Sequence, residues 1–213
     1  MTAALLTLAD SRLPAGGHTH SGGVEQAVAA GVVSDPPTLI AFLRRRLVTS
    51  GTVAAGLAAA ACSAGLDADR HAALDAEADA RTPSPALRAA SRQQGRGLIR
   101  VGRRAWPSPA WDALPERPHH PLALGVAAHA AGLTPADAAA AAAYLSISGP
   151  ATAAQRLLAM DPLAVAALTA RLAPDIDAVA TEAAVAGLPA ATDPLLDLLA
   201  ELHAARKDRF FAS

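Results

Sequence analysis

Two stretches of small apolar residues constrain this chain more than anything else in it. One runs from Ser50 to Gly65 (SGTVAAGLAAAACSAG), the other from Asp137 to Ser148 (DAAAAAAYLSIS). Alanine has the highest helix propensity and adds almost no bulk, so both read as helices whose neighbours can approach closely. A sheet would call for β-branched and aromatic residues. Aromatics make up only 3% of the chain, although 52% of it is hydrophobic. The first stretch reads as a helix buried all round. The second starts at Thr134-Pro135 with Asp137 and is expected to stop at Gly149-Pro150. Asp35-Pro36-Pro37, Ser84-Pro85 and Asp193-Pro194 repeat the same start chemistry, a short polar cap followed by proline in the first turn. With 213 residues, the expectation is one all-α domain over residues 1–213, a compact bundle of about eight to ten helices.

Between these anchors the polar residues suggest mostly solvated faces. Leu39, Ile40, Phe42, Leu43 and Leu47 form an apolar stripe, and Arg44, Arg45 and Arg46 beside it read as a solvent-facing surface. The segment from Asp67 (DADRHAALDAEADART) reads as an exposed helix with His71 on its surface. The helix from Ser84 to about Trp106 contains Gly95 and Gly97, each costing about 1 kcal/mol relative to alanine. Such glycines imply a close contact or a kink. Arg92, Arg96, Arg100, Arg103 and Arg104 make that helix the most basic part of the chain. Pro107 to Pro121 reads as a surface loop, and His119-His120-Pro121 as a helix entry with a partly buried imidazole.

Lysine and arginine number 18 against 19 acidic residues, a formal charge of −1, which argues against a nucleic-acid binder. Cys62 is the only cysteine, so neither an intrachain disulfide nor a cysteine metal cluster is expected. No signal-peptide pattern is present, and no unbroken apolar run reaches the roughly 20 residues of a membrane helix. The chain therefore reads as cytosolic.

The chemistry is concentrated between Leu6 and Val28. The loop there holds Asp10, Ser11, Pro14, Gly16, Gly17, His18, His20, Ser21, Gly22, Gly23 and Glu25. Glycine and proline favour a tight turn between two helices, and Ser21, with Glu25 near capping-box range, suits an N-cap. His20 and Ser21 are expected to make structural hydrogen bonds. His18 and His20 with Asp10 are weak candidates for a metal site, and a metal-dependent hydrolase built on them is the alternative function. No phosphate-binding loop, G-x-S-x-G or H-E-x-x-H motif occurs. From the residues alone, an all-helical interaction module is the better reading.

LADSRLPAGGHTHSGGVE resembles the N-terminal signature of the UreF family of urease accessory proteins, L-x-D-S-x-L-P-x-G-x-F-x-H-S-x-G-x-E. Asp10, Ser11, Leu13, Pro14, Gly16, His20, Ser21, Gly23 and Glu25 fall on it, and His18 stands where the family usually has phenylalanine. The run LRAASRQQGRGL is similar to a second family segment through Arg88, Ser91, Gln94, Gly95 and Leu98. ATAAQRL matches a third through Arg156, after which the family's glutamine-containing segment is absent here. The tail matches through Pro194, Asp197, His203, Arg209, Phe211 and Ser213, with Phe210 beside them.

The resemblance implies an all-α, non-enzymatic protein without a cofactor, needed for nickel insertion into apo-urease. It implies a homodimer that binds UreD (UreH in some systems) and recruits the GTPase UreG, with no nucleic-acid or membrane partner. No tight nickel site is expected within the monomer. Arg209, Phe210 and Phe211, in a tail of about residues 204–213, are expected to pack loosely until UreD orders them.

Overall fold

The computed structural model describes residues 3–10 and 13–213, and all regular structure among them is helical. The helices are α1 (Ala3–Leu8), α2 (Val24–Ala29), α3 (Pro36–Arg46), α4 (Thr52–Ala64), α5 (Ala68–Ala80), α6 (Pro85–Ala105), α7 (His120–Ala130), α8 (Pro135–Leu157), α9 (Pro162–Arg171), α10 (Ala173–Val185) and α11 (Pro194–Ala205). A π turn, Leu47–Gly51, joins α3 to α4 in one rod, Pro36–Ala64. The all-α bundle expected from the sequence is thus observed.

The helix starts follow the polar-then-proline pattern. Asp35 and Thr38 form a reciprocal capping box at α3, Thr134 and Asp137 another at α8, and Ser84 accepts from Leu87 N at 3.1 Å at α6. Each cap satisfies backbone N–H groups that the first helical turn cannot.

Helix α4 lies at the centre, packed against α7, α8 and α10. Ala55, Ala58 and Ala61 on it are fully buried. The closeness that alanine and glycine permit is used to the limit at Gly125 of α7, where a Cβ would lie 2.4 Å from Ala58 O. The rod Pro36–Ala64 has 29 residues and is long and apolar enough, by length and composition, to cross a membrane. The sequence reading missed this because it treated the rod as two separate helices. More than half of its most apolar window is buried inside the fold (56%), in the pattern of a core helix.

The glycines of α6 mark close contact rather than a kink. A Cβ on Gly95 would come within 2.2 Å of Pro118 O, and one on Gly97 within 2.2 Å of Ala15 O. Two loops, one before α7 and one at the chain start, therefore press their backbones onto α6.

Three expectations are corrected. Helix α8 does not stop at Gly149-Pro150 but runs through Pro150, which is buried. Proline has no N–H, so the carbonyl four residues earlier, Ser146 O, loses its helical donor. Arg46 supplies it from α3, with Nε donating to Ser146 O at 2.7 Å. Of the three arginines, Arg44 and Arg45 are exposed, as a solvated face requires, although both are ion-paired, and only Arg46 departs from it. Arg44 pairs with Asp175 at 3.0 Å, and Arg45 forks onto Asp193, which also caps α11. Arg46 is half-buried. Finally, His71 is not on the surface: it is 0% exposed, its Nε2 is 3.0 Å from Gly65 O, and its Nδ1 has no partner among the described residues.

Candidate functional site

The signature loop is shaped by glycines in left-handed backbone. Gly16 (φ 85°) precedes a short 3-10 turn, Gly17–Thr19, and Gly22 (φ 61°) and Gly23 (φ 89°) deliver the chain into α2. These angles are strained for residues carrying a Cβ. At Gly22 a Cβ would also meet the Pro150 ring at 2.7 Å, so the loop sits directly on the kink-prone turn of α8. The N-cap of α2 is Gly23, without a side-chain cap, rather than Ser21. Two left-handed glycines separate Ser21 from the helix, and its hydroxyl instead accepts from Glu25 N at 3.4 Å. Ser11 lies outside the described residues. Pro14 is exposed at the loop's outer edge.

Glu25, buried on α2, gathers the C-terminal segment. Its carboxylate accepts from His203 Nε2 (2.8 Å), Phe210 N (2.7 Å) and Phe211 N (2.9 Å). Burial pushes its pKa up, but the Phe210 amide, His203 and the Phe211 amide outweigh that and hold it below the ordinary glutamate value. Further along, Ala212 N donates to Thr19 O (2.8 Å) and Ser21 N to Ser213 O (2.5 Å). His20 Nδ1 meets Ser213 Oγ at 2.5 Å.

The tail thus lies as a strap across the signature loop. This corrects the expectation of loose packing for Phe211, which is 6% exposed and part of the core. Phe210 fits that expectation better: it is 78% exposed, edge-on to Phe211 with ring centroids 5.4 Å apart, and Arg209 beside it is exposed too.

A second polar network fixes the entry to α7. His119, 1% exposed, has Nδ1 3.0 Å from Ser91 Oγ and Nε2 2.9 Å from Asp79 Oδ1. Its backbone N donates to Asp75 Oδ1 (2.9 Å), and Arg92 bridges Asp75 and Asp79. Burial raises the Asp79 pKa, while His119 and Arg92 more than reverse that and lower it. Arg88 secures the turn before α6 by donating to Thr82 O and Pro83 O. The order Ser91–His119–Asp79 is that of a serine–imidazole–carboxylate relay. Ser91 Oγ also accepts from His120 N at 3.1 Å, so the serine pins α6 to α7. Asp75 and Asp79 escaped the sequence reading because α5 was taken as exposed. Their spacing of four residues on one helix face was the available signal.

These networks wall a partly open cavity of about 460 Å³. Asp10, Gly17, His18, His20, Ser91, Gln94, Arg156 and Phe211 all line it, so residues from the three separate motifs and the tail converge on one space. Ser21, Gly23, Glu25, Arg88, Gly95 and His203 stand behind that wall as supports. Gly16 instead lines a shallower groove of about 510 Å³ with Arg96 and Arg100, and Arg209 and Phe210 face outward.

Near the loop the cavity wall carries two guanidinium groups, Arg46 and Arg156, and the imidazoles of His20 and His120. Burial pushes the Arg46 guanidinium down to about 10, and burial with repulsion from His20 pushes His120 down to about 4. His20 is lowered by burial and by His18. Among the described residues, no group of three or more His, Cys, Asp or Glu side chains is placed to hold a metal ion.

The UreF family model matches residues 33–173. The chain is 56% identical over 211 residues to the urease accessory protein UreF of Mycolicibacterium vanbaalenii, covering 99% of this chain and 98% of that protein. It is 53% identical to the UreF of Mycobacterium marinum and 49% to that of Mycobacterium tuberculosis, each over 99% of this chain and 98% of the relative.

Proposed function

Because the chain belongs to the UreF family of urease accessory proteins, we propose that it acts in urease maturation as a non-catalytic scaffold for nickel insertion into apo-urease. In this reading it works in the cytoplasm as a homodimer, binds UreD, and recruits the GTPase UreG, with nickel as cargo rather than a resident cofactor. The observation that carries the reading is identity of about half or more along essentially the full length of proteins named urease accessory protein UreF.

The tail supports a docking function in a narrower form than the sequence suggested. Phe211 and Ser213 are committed to the protein's own fold, while Phe210 and Arg209 are held at the surface beside them. Aromatic and arginine side chains are the commonest interface anchors, and a pre-ordered strap avoids the entropy cost of ordering a free tail. Phe210 and Arg209 are therefore assigned to the UreD contact.

The test is complementation in a urease-producing host lacking its own UreF, with co-purification of UreD and UreG. The chain should restore nickel-dependent urease activity and retain both partners. A stable, soluble product that restores no activity and captures neither partner would refute the proposal.

A further inference from the structure

The cavity contains a cation with no counter-charge. Arg46 is half-buried, and its two hydrogen bonds go to neutral carbonyls, Ser146 O (2.7 Å) and Gly22 O (2.9 Å). Its neighbours in sequence each have a carboxylate, Asp175 for Arg44 and Asp193 for Arg45. Among the described residues, Arg46 has no ion-pair partner, and burial is what depresses its pKa. Removing a guanidinium from water without a compensating charge is unfavourable, and the two carbonyls compensate only in part.

The surroundings add donors rather than acids. His20, His120 and Arg156 line the cavity with Arg46, whereas the Ser50 and Thr152 hydroxyls there already donate to Arg46 O and Ser148 O. Of the cavity's acids, Asp193 is taken by Arg45 and by the α11 cap and Asp10 has a partner of its own, while burial and the neighbouring Asp193 and Glu201 push the Asp197 carboxyl up. Arg46 Nη2 makes no hydrogen bond to the described residues, which leaves the guanidinium a free donor edge. Guanidinium edges match the oxygen pairs of carboxylates and phosphates, and imidazole N–H groups complete such sites.

We propose that the basic end of this cavity is a binding site for a small oxoanion of the carboxylate or phosphate type, with Arg46 as its principal contact. The anion would neutralise the half-buried cation and bridge the signature loop, α3 and α8 through one ligand.

The test uses the purified chain alone, titrated separately with formate and with inorganic phosphate. Calorimetry and thermal unfolding are read against chloride at constant ionic strength. Saturable binding and a rise in melting temperature with at least one probe are expected. R46Q should weaken binding by about tenfold or more, as for loss of a charged hydrogen bond. R156Q, an exposed position whose loss should not impair folding, should weaken it by a smaller factor. No saturable binding to the wild type would overturn the site, as would a salt response unchanged in R46Q. If R46Q fails to fold, undiminished affinity in R156Q together with a double His20→Ala, His120→Ala variant would overturn it as well.

Discussion

Replacing Glu25 with glutamine should detach the C-terminal strap. The carboxylate accepts three N–H groups, from His203, Phe210 and Phe211, at 2.7–2.9 Å. A glutamine offers one oxygen and turns an NH₂ toward the remaining donors. Hydrogen bonds to a charged group are worth about 1.5–3 kcal/mol each, so losing one and weakening the others should cost about 3 kcal/mol. For a chain of this size, about 2–4 °C per kcal/mol gives a fall of about 6–12 °C in melting temperature.

Two assays are needed: thermal unfolding by circular dichroism, and trypsin cleavage at exposed Lys207 and Arg209, which should accelerate as the strap detaches. Acid should do the same to the wild type. The Glu25 pKa is lowered in the folded state, so its stabilisation is complete above the unfolded value of about 4.3 and disappears as pH falls through the folded value. If E25Q melts within about 2 °C of the wild type, well below the expected shift, and its tail is cleaved no faster, Glu25 does not hold the strap.

The two phenylalanines should behave oppositely. F211A should cost about 3–5 kcal/mol as a core truncation, and F210A within about 0.5 kcal/mol, while F210A alone should impair UreD capture. Gly97→Ala should destabilise α6 despite alanine's advantage of about 1 kcal/mol in helices, because the Cβ would lie 2.2 Å from Ala15 O. Equal or higher stability would refute that contact. Asp193→Ala removes both the α11 cap and the Arg45 partner. It should cost about 1–3 kcal/mol in chemical denaturation, with a change below about 0.5 kcal/mol counting against it.

What the sequence made legible was chemistry local to a few residues. The Asp35, Ser84, Thr134 and Asp193 caps each act within three residues of themselves, and all are in place. The glycines of α6 announced a close contact by being costly where they stand. What stayed hidden was polar pairing across long sequence separations. Pro150 read as a helix end because local rules hold no place for an arginine 104 positions earlier in the numbering, whose Nε satisfies the stranded carbonyl of Ser146. Phe211 read as partnerless because its hydrogen-bond acceptor, Glu25, is 186 residues away. His71 read as surface because the polar residues around it dominate the pattern of α5. The motifs identified the residues of the cavity, but only the fold could bring loop, α6, α8 and tail to one wall.

The π turn at Leu47–Gly51 makes chain length a structural variable at that point. Its hydrogen bond from Thr52 N to Leu47 O spans one residue more than an α-helical bond, and each helical residue advances the side-chain direction by about 100°. The extra residue therefore sets the angular phase between two halves of one rod. On the α3 side that phase directs Arg45 toward Asp193 and Arg46 toward Ser146. On the α4 side it turns Ala55, Ala58 and Ala61 into the core. Deleting a single residue between 47 and 51 would restore a regular helix and rotate one half by more than a quarter turn against the other. Either the arginines would lose their acceptors or the alanine face would leave the core. The same deletion in the loop before α7 would have no rod to rephase.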